Sequence, residues 1–212
     1  MALNKLQALK LIQLLNQSIK NPETSLKYRN QFTLLTSVVL SAQCTDTNVN
    51  NVTKNIYKKY YTPKHFTDLR ITKIKRMIKS IGLFNMKAKN LYNLSKILVE
   101  KYQSKVPNNF EDLINLPGVG RKTANVVLNA AFNKPTIAVD THVFRVTNRT
   151  ALANGMNPNQ LEEQLLKILP SKYIKKAHHL ILLHGRYICK SRNPHCTKCV
   201  INKICLYKDK NV

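Results

Sequence analysis

Apolar residues recur at every third or fourth position along most of the chain, which is the spacing of one buried face of an α-helix. Strand-like alternation and internal repeats are not found in the sequence. Five stripes in the first half have these small or apolar positions: Leu3, Leu6, Leu9, Ile12, Leu15 and Ile19; Phe32, Leu35, Val39 and Ala42; Val49, Val52, Ile56 and Tyr60; Ile71, Ile74, Ile78 and Ile81; Ala88, Leu91, Ser95 and Leu98. The pattern predicts an all-α protein.

Residues with strong positional preferences mark several predicted helix ends. Gly82 follows Ile81 where a C-terminal cap is expected. Asn157, Pro158 and Gln160 occupy the cap, first and third positions of a helix start. The last long stripe consists of Ile174, Ala177, Ile181 and Ile188. Short polar stretches at 21–24 and 133–135 are the candidate domain junctions, and neither is a long linker.

The segment LPGVGRKT, residues 116–123, has the glycines and lysine of a phosphate-binding P-loop but not their spacing. Arg121 separates Gly120 from Lys122, and a short amphipathic helix at about 110–116 precedes the turn instead of a buried strand. A second helix is predicted at 121–132. Glycines and a helix N-terminus can bind an anion such as a nucleic-acid phosphate. A plain helix connection with ordinary turn glycines is the alternative.

The charge of the chain favours the nucleic-acid interpretation. Lys and Arg number 35 against 10 Asp and Glu, a formal net charge of +25. Such an imbalance favours a polyanionic partner whose phosphates replace released counterions. No run approaches the roughly 20 apolar residues of a membrane span, and the N-terminus lacks the apolar core of a signal peptide. We therefore expect a cytoplasmic protein with no membrane partner.

Four of the five cysteines, Cys189, Cys196, Cys199 and Cys205, crowd into one C-terminal segment. Without a secretion signal, such clustering is typical of a metal site rather than of disulfides. Four thiolates suit zinc or an iron-sulfur cluster, and the spacing leaves both open. Cys44 lies outside the pattern and is expected to be a small buried residue.

The stretch LPGVGRKTANVVL resembles the helix-hairpin-helix of the endonuclease III family of bacterial DNA repair enzymes. The resemblance extends over nearly the whole chain and includes LLTSVVLSAQCTD, IGLFNMKAKN, PTIAVDTHVFRVTNRT, HHLILLHGRYIC and the terminal cysteines. It implies two helical domains flanking a DNA-binding cleft. A six-helix domain would cover residues 24–134, with the hairpin at about 110–129. Residues 1–23 and 135–212 would form the other domain, whose cluster loop spans 189–205.

In that family the lysine matching Lys122 is the nucleophile. It attacks C1′ of a damaged pyrimidine nucleotide, expels the base and forms a Schiff base that permits strand cleavage by β-elimination. The residues support this independently, because the field of a helix N-terminus and of Arg121 disfavours the ammonium form of a lysine. The alternative is that Lys122 only faces the DNA backbone.

Asp140 is the one acidic residue between Asp112 and Glu162, in a stretch that also contains several cations. Such a carboxylate should be ionised. Its position before Thr141 predicts a helix N-cap worth about 1 kcal/mol. The resemblance instead implies the catalytic aspartate, which would assist deprotonation of Lys122 or stabilise positive charge on the sugar. His142, His178 and His179 are expected to be structural.

The resemblance also implies one four-iron four-sulfur cluster per chain, bound by the four clustered cysteines. The cluster would be structural and would shape a loop whose Lys190 and Arg192 contact phosphates. Gly118, Val119, Gly120 and Arg121 would bind the DNA backbone through the hairpin. Gln43 and Leu83 would fill the gap left when the damaged base is extruded from the duplex.

The predicted function is a bifunctional DNA glycosylase and abasic-site lyase that removes oxidised pyrimidines in base excision repair. Its partner would be double-stranded DNA with a damaged pyrimidine or abasic site, and the enzyme would be a nucleoid-associated bacterial monomer. Two alternatives remain: an adenine-mismatch glycosylase of the same superfamily, or a non-catalytic helix-hairpin-helix DNA-binding protein. The first generally lacks a lysine at the position of Lys122, and the second would not form a covalent adduct with abasic DNA.

Overall fold

The computed structural model describes residues 2–211, and this part of the chain contains helices and no strands. The helices are α1 Lys5–Ser18, α2 Gln31–Ser41, α3 Asp46–Lys59, α4 Pro63–Thr67, α5 Ile71–Met77, α6 Phe84–Tyr102, α7 Phe110–Ile114, α8 Arg121–Phe132, α9 Thr141–Thr150, α10 Pro158–Ile168 and α11 Ser171–Tyr187. A single 3₁₀ turn follows at Cys196–Lys198. The all-α prediction is confirmed. No helix within 2–211 is long and apolar enough to cross a membrane.

Contacts divide the chain into two compact units, and the segment Thr24–Asn133 is one of them. It contains α2 to α8. Helix α2 is central, since every residue from Phe32 to Leu40 is buried. It packs against α3, α6 and α8, and α7 packs against α8. Burying all sides of α2 positions its C-terminal end firmly, which matters for the loop that follows it.

The other unit is built from the chain up to Glu23 and the chain from Lys134 onward. Its core centres on α11, which packs against α1 and α9, while α10 contacts α9. Helix α1 buries Ala8, Leu11, Ile12 and Leu15. The segment with the four cysteines follows α11 and belongs to this unit.

Side-chain caps explain where several helices begin. Asn30 accepts a hydrogen bond from the backbone of Thr33, whose side chain reciprocates. At the predicted start of α10, Asn157 accepts from the Gln160 amide at 3.0 Å and Pro158 is the first helical residue. This prediction is confirmed. The side chain of Gln160 accepts from Met156 rather than from the cap residue itself.

The stripe ending at Ile81 overestimates the length of α5. The helix ends at Met77, so Gly82 is not its cap. Ile78 and Ile81 are nevertheless buried, because the turn after the helix includes an Ile81-to-Ile78 backbone hydrogen bond of 2.9 Å that keeps a three-residue spacing. Periodicity therefore continues where the α-helix has ended.

Other differences lie at helix ends. Ala42 is an exposed C-cap rather than a core position, and Leu6 is 77% exposed because the buried face of α1 runs through Ala8 and Leu11. Short helix α4 was not predicted; it is one turn held by the Thr62 cap and Pro63 at its first position. Cys44 is only partly buried, and its sulfur accepts from Asn48 at 3.3 Å.

Candidate functional site

Helices α7 and α8 and the turn between them form the predicted helix-hairpin-helix. Leu113, Leu116 and Val119 are buried, and the Val119 amide donates to the Leu116 carbonyl at 3.0 Å. The side chain of Val119 thus anchors the turn in the core. Across the hairpin, the guanidinium of Arg121 lies 5.1 Å from the Phe110 ring centroid.

The two glycines of the turn have different structural roles. Gly118 has a φ of +80°, and a Cβ there would lie 2.8 Å from the Asn90 side-chain nitrogen. Only glycine adopts this conformation without strain. Gly120 is the extended N-cap of α8, and a Cβ there would meet nothing within 4 Å. The surface at Gly120 is therefore open to an approaching ligand.

Lys122 lies in the first turn of α8, and its side chain and that of Arg121 are exposed. The positive end of a helix favours anions. Two cations and a helix N-terminus beside an open glycine make this surface suitable for a phosphate backbone. An accessible primary amine also meets the first requirement of a Schiff-base nucleophile.

Asp140 immediately precedes α9 in the other unit. Its carboxylate accepts from the Val143 amide at 2.8 Å, so the predicted N-cap is confirmed. The side chain is half-buried. Nearby His178 and His179 are buried, and the imidazole Nδ1 of His178 lies 2.6 Å from the Ala138 carbonyl oxygen. This contact agrees with the expected structural role of His178.

All four clustered cysteines line one pocket, with an empty volume of about 340 Å³ that includes open solvent. None of them is in a disulfide. Among residues 2–211, no three His, Cys, Asp or Glu side chains converge closely enough to hold a single metal ion. Four thiols that line one shared space are chemically suited to bind a metal group.

The chemistry of the pocket also fits a cationic metal group. Burial raises the pKa of Cys199 to about 11, with the neighbouring cysteines adding to the rise. Burial likewise raises the pKa of Cys205. Such thiols would lose their protons only when a metal charge stabilises the thiolates.

Nitrogen atoms lie close to two of the cysteine sulfurs. The backbone amides of Ile201 and Tyr207 hydrogen-bond to Cys199 and Cys205 respectively. Nε2 of His184 lies 3.6 Å from the Cys199 sulfur, and burial lowers the pKa of this histidine to about 4, so the ring is neutral. Hydrogen bonds of this kind tune metal-bound sulfur.

Helix α9 holds the loop between Cys189 and Cys196. The Arg149 guanidinium donates to the carbonyls of Lys190 and Ser191, the first at 2.5 Å and the second at 2.8 Å. One turn earlier, Arg145 donates to the Cys189 carbonyl at 3.1 Å. Lys190 and Arg192 are exposed on this loop. The loop is fixed through its backbone while its cationic side chains remain accessible.

Gln43 and Leu83 lie in two neighbouring loops of the Thr24–Asn133 unit. Both have left-handed backbone conformations, with φ of 54° and 60°, although neither is glycine. Both side chains are exposed, and Leu83 exposes 50% of its surface. This backbone conformation is uncommon for residues other than glycine.

Sequence reasoning missed three cations that organise these regions: Lys87, Arg145 and Arg149. Lys87 lies on the same stripe of α6 as Leu91, Leu94 and Leu98, and only 2% of its surface is exposed. A lysine on the apolar face of a helix was the available signal. Nothing in the sequence indicated the roles of the two arginines, since their backbone acceptors lie about 40 residues away in the chain.

Comparison with known proteins gives consistent results. Residues 36–171 match the model of the HhH-GPD superfamily base excision DNA repair protein family. Endonuclease III of Rickettsia conorii is 54% identical over 198 residues, covering 93% of this chain and 94% of that protein. Endonuclease III of Escherichia coli K12 is 47% identical over 208 residues, covering 98% and 99%.

A solved structure of a trapped covalent intermediate of endonuclease III with DNA is also similar. It superposes with a TM-score of 0.91 at 40% identity, covering 96% of each chain. The structural similarity therefore extends over both compact units and is not confined to the hairpin.

Proposed function

The chain belongs to the endonuclease III family within the HhH-GPD superfamily of base excision DNA repair proteins, and from this premise we propose which residues and which cofactor carry its activity. It is a DNA glycosylase and abasic-site lyase, and its partner is DNA. The assignment of the catalytic residues rests mainly on Lys122. Its side chain is exposed in the first turn of α8, beside the open N-cap Gly120.

Lys122 is the nucleophile. Its neutral Nζ forms a bond to C1′ of the damaged nucleotide while the glycosidic bond breaks, and the base departs with that electron pair and takes up a proton. Opening of the sugar ring gives a Schiff base. Loss of a C2′ proton then expels the 3′ phosphate, which cleaves the strand. The amine regenerates when water releases the sugar fragment.

Asp140 supplies the negative charge for this step. An ionised carboxylate can accept the proton that Lys122 must lose, or it can stabilise positive charge on the sugar as the base leaves. Its hydrogen bond from Val143 fixes one carboxylate oxygen and leaves the other available.

The remaining site residues bind and open the duplex. The backbone at Gly118, Val119 and Gly120 and the side chain of Arg121 bind a phosphate, and Lys190 and Arg192 bind another part of the backbone. Gln43 and Leu83 enter the space vacated by the extruded nucleotide, which their exposure permits. The substrate is double-stranded DNA with an oxidised pyrimidine or an abasic site, and the enzyme acts as a monomer.

Cys189, Cys196, Cys199 and Cys205 hold one four-iron four-sulfur cluster. The shared pocket, the backbone amides that hydrogen-bond to Cys199 and Cys205, and membership of the endonuclease III family support this cofactor. When bound, the cluster would supply four metal–thiolate links that cross-link the loop, and no electron transfer is needed to break a glycosidic bond. Arg149 and Arg145 then orient the loop on which Lys190 and Arg192 lie.

Visible absorbance and analysis of iron and sulfide test the cluster. Purified protein should be brown, with about four irons and four sulfides per chain. The Cys199→Ser variant should lose the colour, whereas Cys44→Ser, a cysteine outside the pocket, should retain it. Stoichiometric zinc in colourless protein would show that the cluster assignment is wrong.

Borohydride reduction tests the nucleophile. Wild-type protein mixed with abasic-site DNA and borohydride should form a covalent adduct, because reduction of the Schiff base makes the link permanent. The Lys122→Ala variant should form none while still binding the DNA. Arg121→Ala is the matched control: it removes the neighbouring cation, so it should weaken binding but still trap at saturating protein. A wild-type protein that never traps would refute the lyase assignment.

A further inference from the structure

Lys87 connects the two loops that carry Gln43 and Leu83. It lies in the first turn of α6, and its amide donates to the Leu83 carbonyl at 3.0 Å. Its ammonium group reaches in the other direction and donates to the carbonyls of Leu40 and Ala42, at 2.9 and 2.6 Å. One residue thus touches the backbone of both loops.

The environment of Lys87 is unusual for a cation. Only 2% of the residue is exposed, and burial lowers its pKa while the nearby Cys44 raises it. The carbonyls at the end of α2 carry the partial negative charge of a helix C-terminus, which compensates for the lost water. Burial of a charge is costly unless it is hydrogen-bonded, so this position indicates a specific requirement.

The Ala42 carbonyl belongs to the peptide bond that joins Ala42 to Gln43. A hydrogen bond to that oxygen therefore fixes the orientation of the peptide plane and restrains the left-handed conformation of Gln43. The two loops also lie close together, because a Cβ placed at Gly82 would lie 3.7 Å from the Gln43 carbonyl. Asn48 adds a second link by donating to the Ser80 carbonyl at 3.1 Å.

We propose that Lys87 is a positioning residue for base extrusion, which holds Gln43 and Leu83 in a fixed relation so that both side chains enter the duplex together. The proposal rests on the proposed role of Gln43 and Leu83. Because one buried donor already orders the two side chains, less free energy is lost in ordering them when DNA binds. Lys87 acts on the loops and does not touch the DNA.

The test compares a reaction that requires extrusion with one that does not. Excision of thymine glycol from duplex DNA requires opening of the stack, whereas borohydride trapping on single-stranded abasic DNA uses Lys122 without that opening. In Lys87→Met, duplex excision should fall about tenfold or more, since small misplacements of positioning groups have effects up to about a hundredfold. Single-strand trapping should stay within about twofold of wild type, the range expected when the nucleophile is intact.

Lys96→Met is the matched control, because Lys96 lies on the same helix with its side chain 57% exposed and pairs with Glu100. It should behave like wild type in both reactions. A purely structural role for Lys87 would lower the melting temperature without changing the ratio of the two activities. If Lys87→Met does not fold, Lys87→Gln, which retains an amide donor, is measured for the same ratio.

A double-mutant cycle separates the proposal from its premise. If the Lys87 ammonium group acts through Gln43, the loss in duplex excision caused by Lys87→Met should largely disappear in a Gln43→Ala background. Additive losses, or an unchanged activity ratio in Lys87→Met, would overturn the positioning role. Full duplex excision by Leu83→Ala and Gln43→Ala would instead refute the wedge role, and failure of the wild type in both reactions would refute the proposed function.

Discussion

Asp140 combines a structural hydrogen bond with a negative charge, and the two can be separated experimentally. Its carboxylate caps α9 through the Val143 amide at 2.8 Å. Asparagine is an equally good N-cap because its side-chain oxygen accepts the same bond. The charge, in contrast, is lost completely in such a replacement. Replacing Asp140 by asparagine and by alanine therefore tests the capping role and the role of the charge separately.

We expect Asp140→Asn to keep the stability of the wild type within about 0.5 kcal/mol, while Asp140→Ala loses about 1 kcal/mol with the cap. Both should reduce base excision by at least about a hundredfold, the range of a lost general base. Chemical unfolding and single-turnover excision measure the two quantities. An active Asp140→Asn enzyme would show that the residue is only a cap.

The roles of some residues could be predicted from the sequence, and the roles of others could not. The nucleophile candidate and the cap could be predicted, because each depends on residues next to it in the chain. Lys87 could not be assigned its role, since its carbonyl acceptors lie 45 and 47 positions away. Its place on the apolar face of a helix could be read from the sequence, but its partners and its burial became visible only in the folded chain.

At the scale of elements, the hairpin shows how turn chemistry produces a binding surface. Gly118 satisfies a backbone requirement, whereas Gly120 has ordinary geometry and open space beside it. The sequence could identify both glycines as turn residues but could not distinguish them. The distinction depends on the φ of each residue and on Asn90 of α6, which packs against the turn.

Alanine at the two positions should therefore have opposite consequences. Gly118→Ala should lower the free energy of unfolding by about 1–2 kcal/mol, the cost of a left-handed conformation for a residue with a Cβ. Gly120→Ala should fold with wild-type stability but bind abasic-site DNA more weakly, because the new methyl group occupies the open surface. Thermal unfolding and DNA-binding titrations check both. Equal destabilisation by the two substitutions would contradict these assignments.

Helix ends were the least predictable feature of the elements. The start of α10 followed from its cap, but the end of α5 did not, because the buried spacing of Ile78 and Ile81 continues through a non-helical turn. The spacing of apolar residues shows which positions are buried, and here the buried positions continue beyond the end of the helix. The loop after it is the one that carries Leu83, so the missed boundary lies beside a proposed functional residue.

At the scale of the whole molecule, the formal charge of +25 suits a polyanionic partner but does not specify a reaction. Family membership supplies the reaction, and the structure supplies the local geometry at each candidate residue. All-helical architecture, the hairpin and the cysteine pocket were within reach of the sequence. The restraints from Lys87, Arg145 and Arg149 required the folded chain.

Peptide mapping of the reduced adduct identifies the amine that forms the covalent link to the abasic sugar, and we expect this amine to be that of Lys122. Trypsin cleaves after Arg121 but not after a modified lysine or before Pro135, so the adduct should be found on the peptide of residues 122–145 with Lys122 at its start. In wild-type protein the sugar-derived mass should be found on Lys122. Its attachment to any other lysine or to the N-terminal amine would show that Lys122 is not the nucleophile.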